Sequence, residues 1–313
     1  MAKWLRNVYG SLRELVIVLT LWCAKREGCA GRITAMRTFL RLTAVLAALL
    51  AAAPPGHAQS KEALEAAARL VVKSGFAVQL QGFSQQIDAD LAQNKEGLQP
   101  ELRSALADAM RASFRAAALQ EGIVRRLAGK MQPAEMNKVV AWLETPVGRR
   151  VTRAEERAAS VSQEEMAAWA ERSGRRPPTA KRIALLAELT LLTNSVDAGV
   201  AAIEAIGLGM MVGANAVQPR ENQISVSELR KRFRDAMPLA ATRKEVTQSA
   251  AVSNPYTYRD VSDADLRAYV AFSRTALGKR YNDATTQAFT ETLAEASVAV
   301  GQLIAPSAGR KLI

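Results

Sequence analysis

Two residue types that carry much of enzyme chemistry are nearly missing from this chain of 313 residues. It has one histidine, His57, and two cysteines, Cys23 and Cys29, all within the first 58 positions. From residue 59 onward there is neither. That excludes thiol nucleophiles and every triad or dyad with imidazole as base. The usual ligands of zinc, copper and haem are also missing there. No disulfide can form, even in a compartment that permits one. No D-x-D-x-D-G loop offers a calcium site, and no glycine-rich phosphate loop follows a strand. Strands themselves lack a signal: apolar residues seldom alternate with period two, whereas alanine is abundant. Both features favour helices. The expectation is an all-α protein with no catalytic residue, no cofactor and no metal.

The N-terminal region is read separately from the fold. From Met36, the stretch MRTFLRLTAVLAALLAAAPPGHAQS has two early arginines, Arg37 and Arg41, and an apolar run over 42–53. A Pro-Pro-Gly break and small residues follow. This is the three-part pattern of a secretory signal, and the run is shorter than the roughly 20 residues a bilayer span needs. The reading is a signal peptide at 36–58, preceded by a non-native or disordered extension at 1–35. Export places the protein in the periplasm. Beyond residue 58 there are 34 basic and 28 acidic residues, a net charge of +6 against +12 for the whole chain. An exported protein of that charge does not point to nucleic acid. A protein, an envelope component or an anionic membrane surface is the expected partner.

What remains reads as a run of amphipathic helices. Ser60 caps KEALEAAARLVVKSG, and Gly75 breaks it. Phe76, Leu80 and Phe83 share one face of the next segment. Leu102, Leu106, Met110, Phe114 and Ala117 form a single stripe over 100–120. Then a phrase is written twice. AWLETPVGRR at 141–150 and AFSRTALGKR at 271–280 align position for position. In each, a helix stops and the next starts at once, with Thr145 or Thr275 as N-cap and Pro146 at the first helical position of the first copy. Gly148 and Gly278 fall in the first turn of the new helix, where glycine costs about 1 kcal/mol against alanine. A backbone or side chain passing close by explains that choice. Trp142 and Phe272 occupy equivalent positions, as do Arg150 and Arg280. These eight residues are the candidate binding or structural motif. The chain is read as a duplicated helical bundle, 59–172 and 180–313, joined by a linker at 173–179. Each half ends in a helix–turn–helix hairpin.

An acidic first turn, an aromatic residue, then T-x-x-G-[RK]-R resembles the exported bacterial family named domain of unknown function 2059, in two copies here. The resemblance implies an exported helical protein and carries over no catalytic residue.

Other features are weaker. Glu155-Glu156 and Glu164-Glu165 are adjacent on helices, so their carboxylates point apart. Asp263 and Asp265 make a third pair. SNPYTYRD, with Tyr256 and Tyr258, reads as a loop. The apolar run 198–217 contains Glu204 and four glycines, which suits a buried central helix. Arg230, Lys231, Arg232, Arg234, Arg243 and Lys244 form a basic cluster. The leading expectation is a non-enzymatic envelope protein that binds a partner through helical surfaces. The alternatives are a peripheral protein of anionic membranes and a His- and Cys-free enzyme working with carboxylates.

Overall fold

A computed structural model describes residues 60–93, 100–175 and 177–309. The expected extension at 1–35 and signal at 36–58, with Cys23, Cys29 and His57, lie outside the described residues. Within the described residues there are thirteen α-helices and one 3-10 turn, and no strand. The protein is all-α.

Ser60 starts the fold as expected: its hydroxyl accepts from the Ala63 amide at 3.1 Å and opens α1, Lys61–Lys73. Gly75, at φ 71°, turns the chain into α2, Phe76–Gln93. Only glycine takes that conformation without cost. The stripe expected as one helix over 100–120 divides into α3, Pro100–Ser113, and α4, Ala116–Lys130. Arg115 between them is extended, and Phe114 is buried at 1 % exposure. Burial of Phe114 fixes the corner, where the sequence carries no breaker. Next come α5, Pro133–Leu143, α6, Pro146–Ala159, and α7, Gln163–Arg175. The expected linker is shorter than 173–179, because α7 extends to Arg175.

The second half opens with α8, Ala180–Leu192, and α9, Ser195–Ala216. Their corner is Asn194 at φ 51°, a left-handed position that asparagine tolerates. Then follow α10, Val226–Ala236, α11, Leu239–Thr257, α12, Asp263–Arg274, and α13, Ala276–Gly309. SNPYTYRD is not a loop up to Thr257: α11 continues through Pro255, which lies in its last turn. A proline there removes a single helical hydrogen bond, and the buried side chain of Tyr256 holds the turn in place.

Two sets of six helices meet their neighbours in the same order. Within α1–α6, the first helix packs on the fourth and fifth, and the second on the fourth and sixth. Within α8–α13 the same positions pack on one another. Helices α9 and α13 lie along each other most extensively. Their backbones approach so closely that a Cβ on Gly213 would stand 2.0 Å from the Val298 carbonyl oxygen, and one on Gly301 2.0 Å from that of Met210. Gly213 of the apolar run therefore serves helix packing, as does Gly209, where a Cβ would meet the Ser297 side chain at 2.7 Å. Ser195–Ala216 has the length and composition to cross a membrane, yet more than half of its most apolar window is buried inside the protein. One continuous apolar core runs from Ala66 to Ala305.

Candidate functional site

The two hairpins are built alike, atom by atom. Thr145 Oγ1 accepts from the Gly148 amide at 3.0 Å and donates to the Trp142 carbonyl at 2.7 Å. Thr275 Oγ1 accepts from the Gly278 amide at 2.9 Å and donates to the Phe272 carbonyl at 2.7 Å. One hydroxyl thus closes the old helix and opens the new one. The glycines are explained by backbone. A Cβ at Gly148 would lie 2.4 Å from the Trp142 carbonyl oxygen, and one at Gly278 2.2 Å from that of Phe272. It is these carbonyls, not the aromatic rings, that demand glycine.

The hairpins then meet each other. Trp142 stacks on Phe272, with ring centroids 4.1 Å apart and planes within 12°. It also stacks on Tyr269 at 5.5 Å. Arg150 of the first copy grips Asp265 of the second in a two-pronged pair, Nε to Oδ2 at 2.9 Å and Nη2 to Oδ1 at 2.6 Å. Arg280 of the second copy reaches Glu135 of the first at 3.1 Å. Glu135 and Asp265 are the equivalent acids of their helices, so the crossing is reciprocal. The crossing sets Trp142 against Phe272, each threonine caps its own glycine, and the two arginines are taken up by Asp265 and Glu135. The hydrogen bond from the Arg150 guanidinium holds the Asp265 carboxyl below the usual range; burial opposes it, and a Ser262 hydrogen bond and the Arg150 charge add smaller lowering effects. Glu135 also accepts from the Gln132 amide at 3.0 Å and so caps its own helix. Asp265, turned toward Arg150, leaves that task to Ser262, which accepts from the Asp265 amide at 3.1 Å.

What the crossing holds is a cavity of about 350 Å³ between α2, α6, α9, α11 and α13. Phe76, Phe83 and Phe289 form one wall, with ring centroids of Phe76 and Phe289 5.5 Å apart and of Phe83 and Phe289 6.4 Å apart. At another wall stands Glu155, seven residues beyond Gly148 on α6. Tyr258 donates to Glu155 Oε1 at 2.7 Å, and Tyr269 to the same oxygen at 3.3 Å. Burial raises the Glu155 carboxyl from an ordinary 4.5 to about 7, the two phenol donors oppose the rise, and the charge of Glu156 adds to it. None of these influences comes from a basic group. Burial first, and the charge of Glu155 next, push Tyr258, Tyr269 and Tyr281 above the ordinary phenol value. Tyr258 is held by its backbone: Arg182 of α8 donates to the Tyr258 and Val261 carbonyls and pairs with Asp263 at 2.5 Å.

Tyr269 joins the two features, with one ring face on Trp142 and its hydroxyl on Glu155. The motif thus positions the cavity wall. Sequence reading passes over Glu155 because adjacent glutamates on a helix point apart and make poor acid–base partners. Its phenol partners lie 103 and 114 residues away, beyond any local pattern.

The other sequence candidates fare differently. Glu165 takes a hydrogen bond from Tyr256, on which the Arg259 guanidinium rests at 4.0 Å. Most of the basic cluster is already paired. Arg230 and Arg234 share Glu204 at 3.5 and 3.0 Å, Lys231 pairs with Asp235, Arg232 with Glu228 and Arg243 with Asp197. Among the described residues no group of three or more acidic side chains comes together as a metal site.

No curated protein and no solved structure matches the chain. Residues 117–175, from within α4 to the end of α7, match the family described as an uncharacterized protein conserved in bacteria, domain of unknown function 2059. That stretch contains the first hairpin and Glu155.

Proposed function

We propose that the protein is an exported, non-enzymatic component of the bacterial cell envelope, built from two related six-helix units, that binds a small ligand with a large apolar surface. The cavity beside Glu155 carries this reading. Its volume of about 350 Å³ lies within the range of small-molecule sites, about 300–1,000 Å³. Its lining has the expected character as well: aromatic and aliphatic walls with a few convergent polar groups.

The repeat reading is supported by the reciprocal pairs, Arg150 with Asp265 and Arg280 with Glu135, and by the matching order of helix contacts. A two-carboxylate hydrolase would need a second acid facing the first, and among the described lining residues Glu155 is the one carboxylate. Binding to anionic membrane through the basic cluster is disfavoured by its ion pairs with Glu204, Asp235, Glu228 and Asp197.

Two measurements test the proposal. N-terminal sequencing of the protein from a periplasmic extract should find a chain beginning near Gln59. A cytoplasmic protein with the upstream residues intact refutes export. For the cavity, the uncharged fluorophore N-phenyl-1-naphthylamine should brighten on binding at one site. Ala250, which lines the cavity, should abolish that signal when changed to Trp. Equal brightening by wild type and Ala250→Trp refutes the cavity as the ligand site.

A further inference from the structure

The chemistry of the cavity wall narrows the ligand class, given that the cavity is the ligand site. Glu155 Oε1 already accepts both phenol hydroxyls, from Tyr258 and Tyr269. Among the described residues Oε2 accepts no hydrogen bond, and no lysine or arginine pairs with the carboxylate. Glu155 is half-buried, and a carboxylate drawn partly out of water without a counter-charge is costly unless something completes it. Aromatic rings line the same cavity: Tyr258 and Tyr269, 6.4 Å apart between centroids, Tyr281, and the phenylalanine wall. The faces of such rings attract cations, most strongly where water is excluded. An anionic ligand would meet the charge of Glu155 and, beyond it, of Glu156. A neutral apolar ligand would leave Oε2 unsatisfied.

We propose that the cavity binds a primary ammonium group carried on an apolar body. Glu155 Oε2 takes the ammonium, the rings of Tyr258, Tyr269 and Tyr281 flank it, and the apolar body lies against Phe76, Phe83 and Phe289. Tyr258 and Tyr269 are positioning residues: they hold the carboxylate through Oε1 and leave the second oxygen to the ligand.

Calorimetry with three probes of equal chain length tests this: octylammonium, octanol and octanoate, each titrated into the full-length protein. Octylammonium should bind, octanol at least about tenfold more weakly, and octanoate more weakly still, as expected when one partner of a buried charge pair is removed. Glu155→Gln keeps the shape and removes the charge. It should bring octylammonium down to the affinity of octanol.

A second measurement needs no variant. Near pH 6 the Glu155 carboxyl is mostly protonated, since it titrates at about 7. Binding an ammonium ion must then expel a proton. Titration in two buffers of different ionisation enthalpy should show release approaching one proton per octylammonium and none per octanol.

Octanoate binding as tightly as octylammonium overturns the proposal, as does octylammonium binding undiminished in Glu155→Gln. Octanol matching octylammonium overturns the ammonium site and leaves the cavity as a ligand site. Failure of all three probes overturns both.

Discussion

Adding one methyl group to the hairpin glycines should reverse a familiar rule. Within an exposed helix, glycine to alanine stabilises a protein by about 0.5–1 kcal/mol, because the unfolded chain loses freedom. At Gly148 the new Cβ would stand 2.4 Å from the Trp142 carbonyl oxygen and 2.6 Å from the Leu143 Cα. At Gly278 it would stand 2.2 Å from the Phe272 carbonyl oxygen. These are backbone atoms of the same tight hairpin and cannot rotate aside, so the two helices must part. Overpacking of this kind costs about 1–3 kcal/mol, and after the propensity gain each variant should lose about 1–2 kcal/mol. For a chain of this size that lowers the melting temperature by about 2–8 °C. Gly174, also helical, has nothing within 4 Å of an added Cβ. Gly174→Ala should therefore gain stability, raising the melting temperature by about 1–4 °C. Urea unfolding followed by circular dichroism measures all three variants. If Gly148→Ala and Gly278→Ala are neutral or stabilising, as Gly174→Ala is, the close-approach argument is wrong. Gly148→Ala has a further effect because α6 carries Glu155 two turns on: ligand affinity should fall along with stability.

Three further outcomes follow from the same geometry. Glu155 titrates at about 7 when folded and near 4.5 when exposed, so the folded state holds the proton more tightly. Its contribution is favourable below 4.5 and is lost as pH rises to 7, about 3 kcal/mol in all. Denaturation at a series of pH values should show that decline, and Glu155→Gln should flatten it. Changing Trp142 and Phe272 to Ala, singly and together, should give a coupling energy of about 0.5–1.5 kcal/mol by double-mutant cycle. Arg150→Ala should destabilise more than Arg280→Ala, because Asp265 loses its ion pair at 11 % side-chain exposure, whereas Glu135, at 31 %, keeps the Gln132 amide.

The helical class and the hairpins are legible in the sequence because their causes are local. Ser60, Thr145 and Thr275 announce caps, Gly75 announces a break, and the apolar stripes announce one buried face per helix. Where causes are tertiary, local reading fails. Phe114 ends α3 through burial in the core and not through a breaker, so 100–120 reads as one helix. Pro255 suggests a loop, yet the buried ring of Tyr256 keeps the turn helical. Glu155 looks like half of a divergent pair until Tyr258 and Tyr269 arrive from another part of the chain. The motif residues themselves were visible. Their work, stacking Trp142 on Phe272 and on the Tyr269 that reaches Glu155, depends on a crossing that spacing alone does not encode.

The most direct test is native mass spectrometry of the protein isolated from its own cells without denaturation. The account predicts a noncovalent adduct of small-molecule mass on the wild-type protein, one per chain, absent from Ala250→Trp and weakened in Glu155→Gln. A protein that carries no adduct, or one whose adduct survives unchanged in both variants, contradicts it.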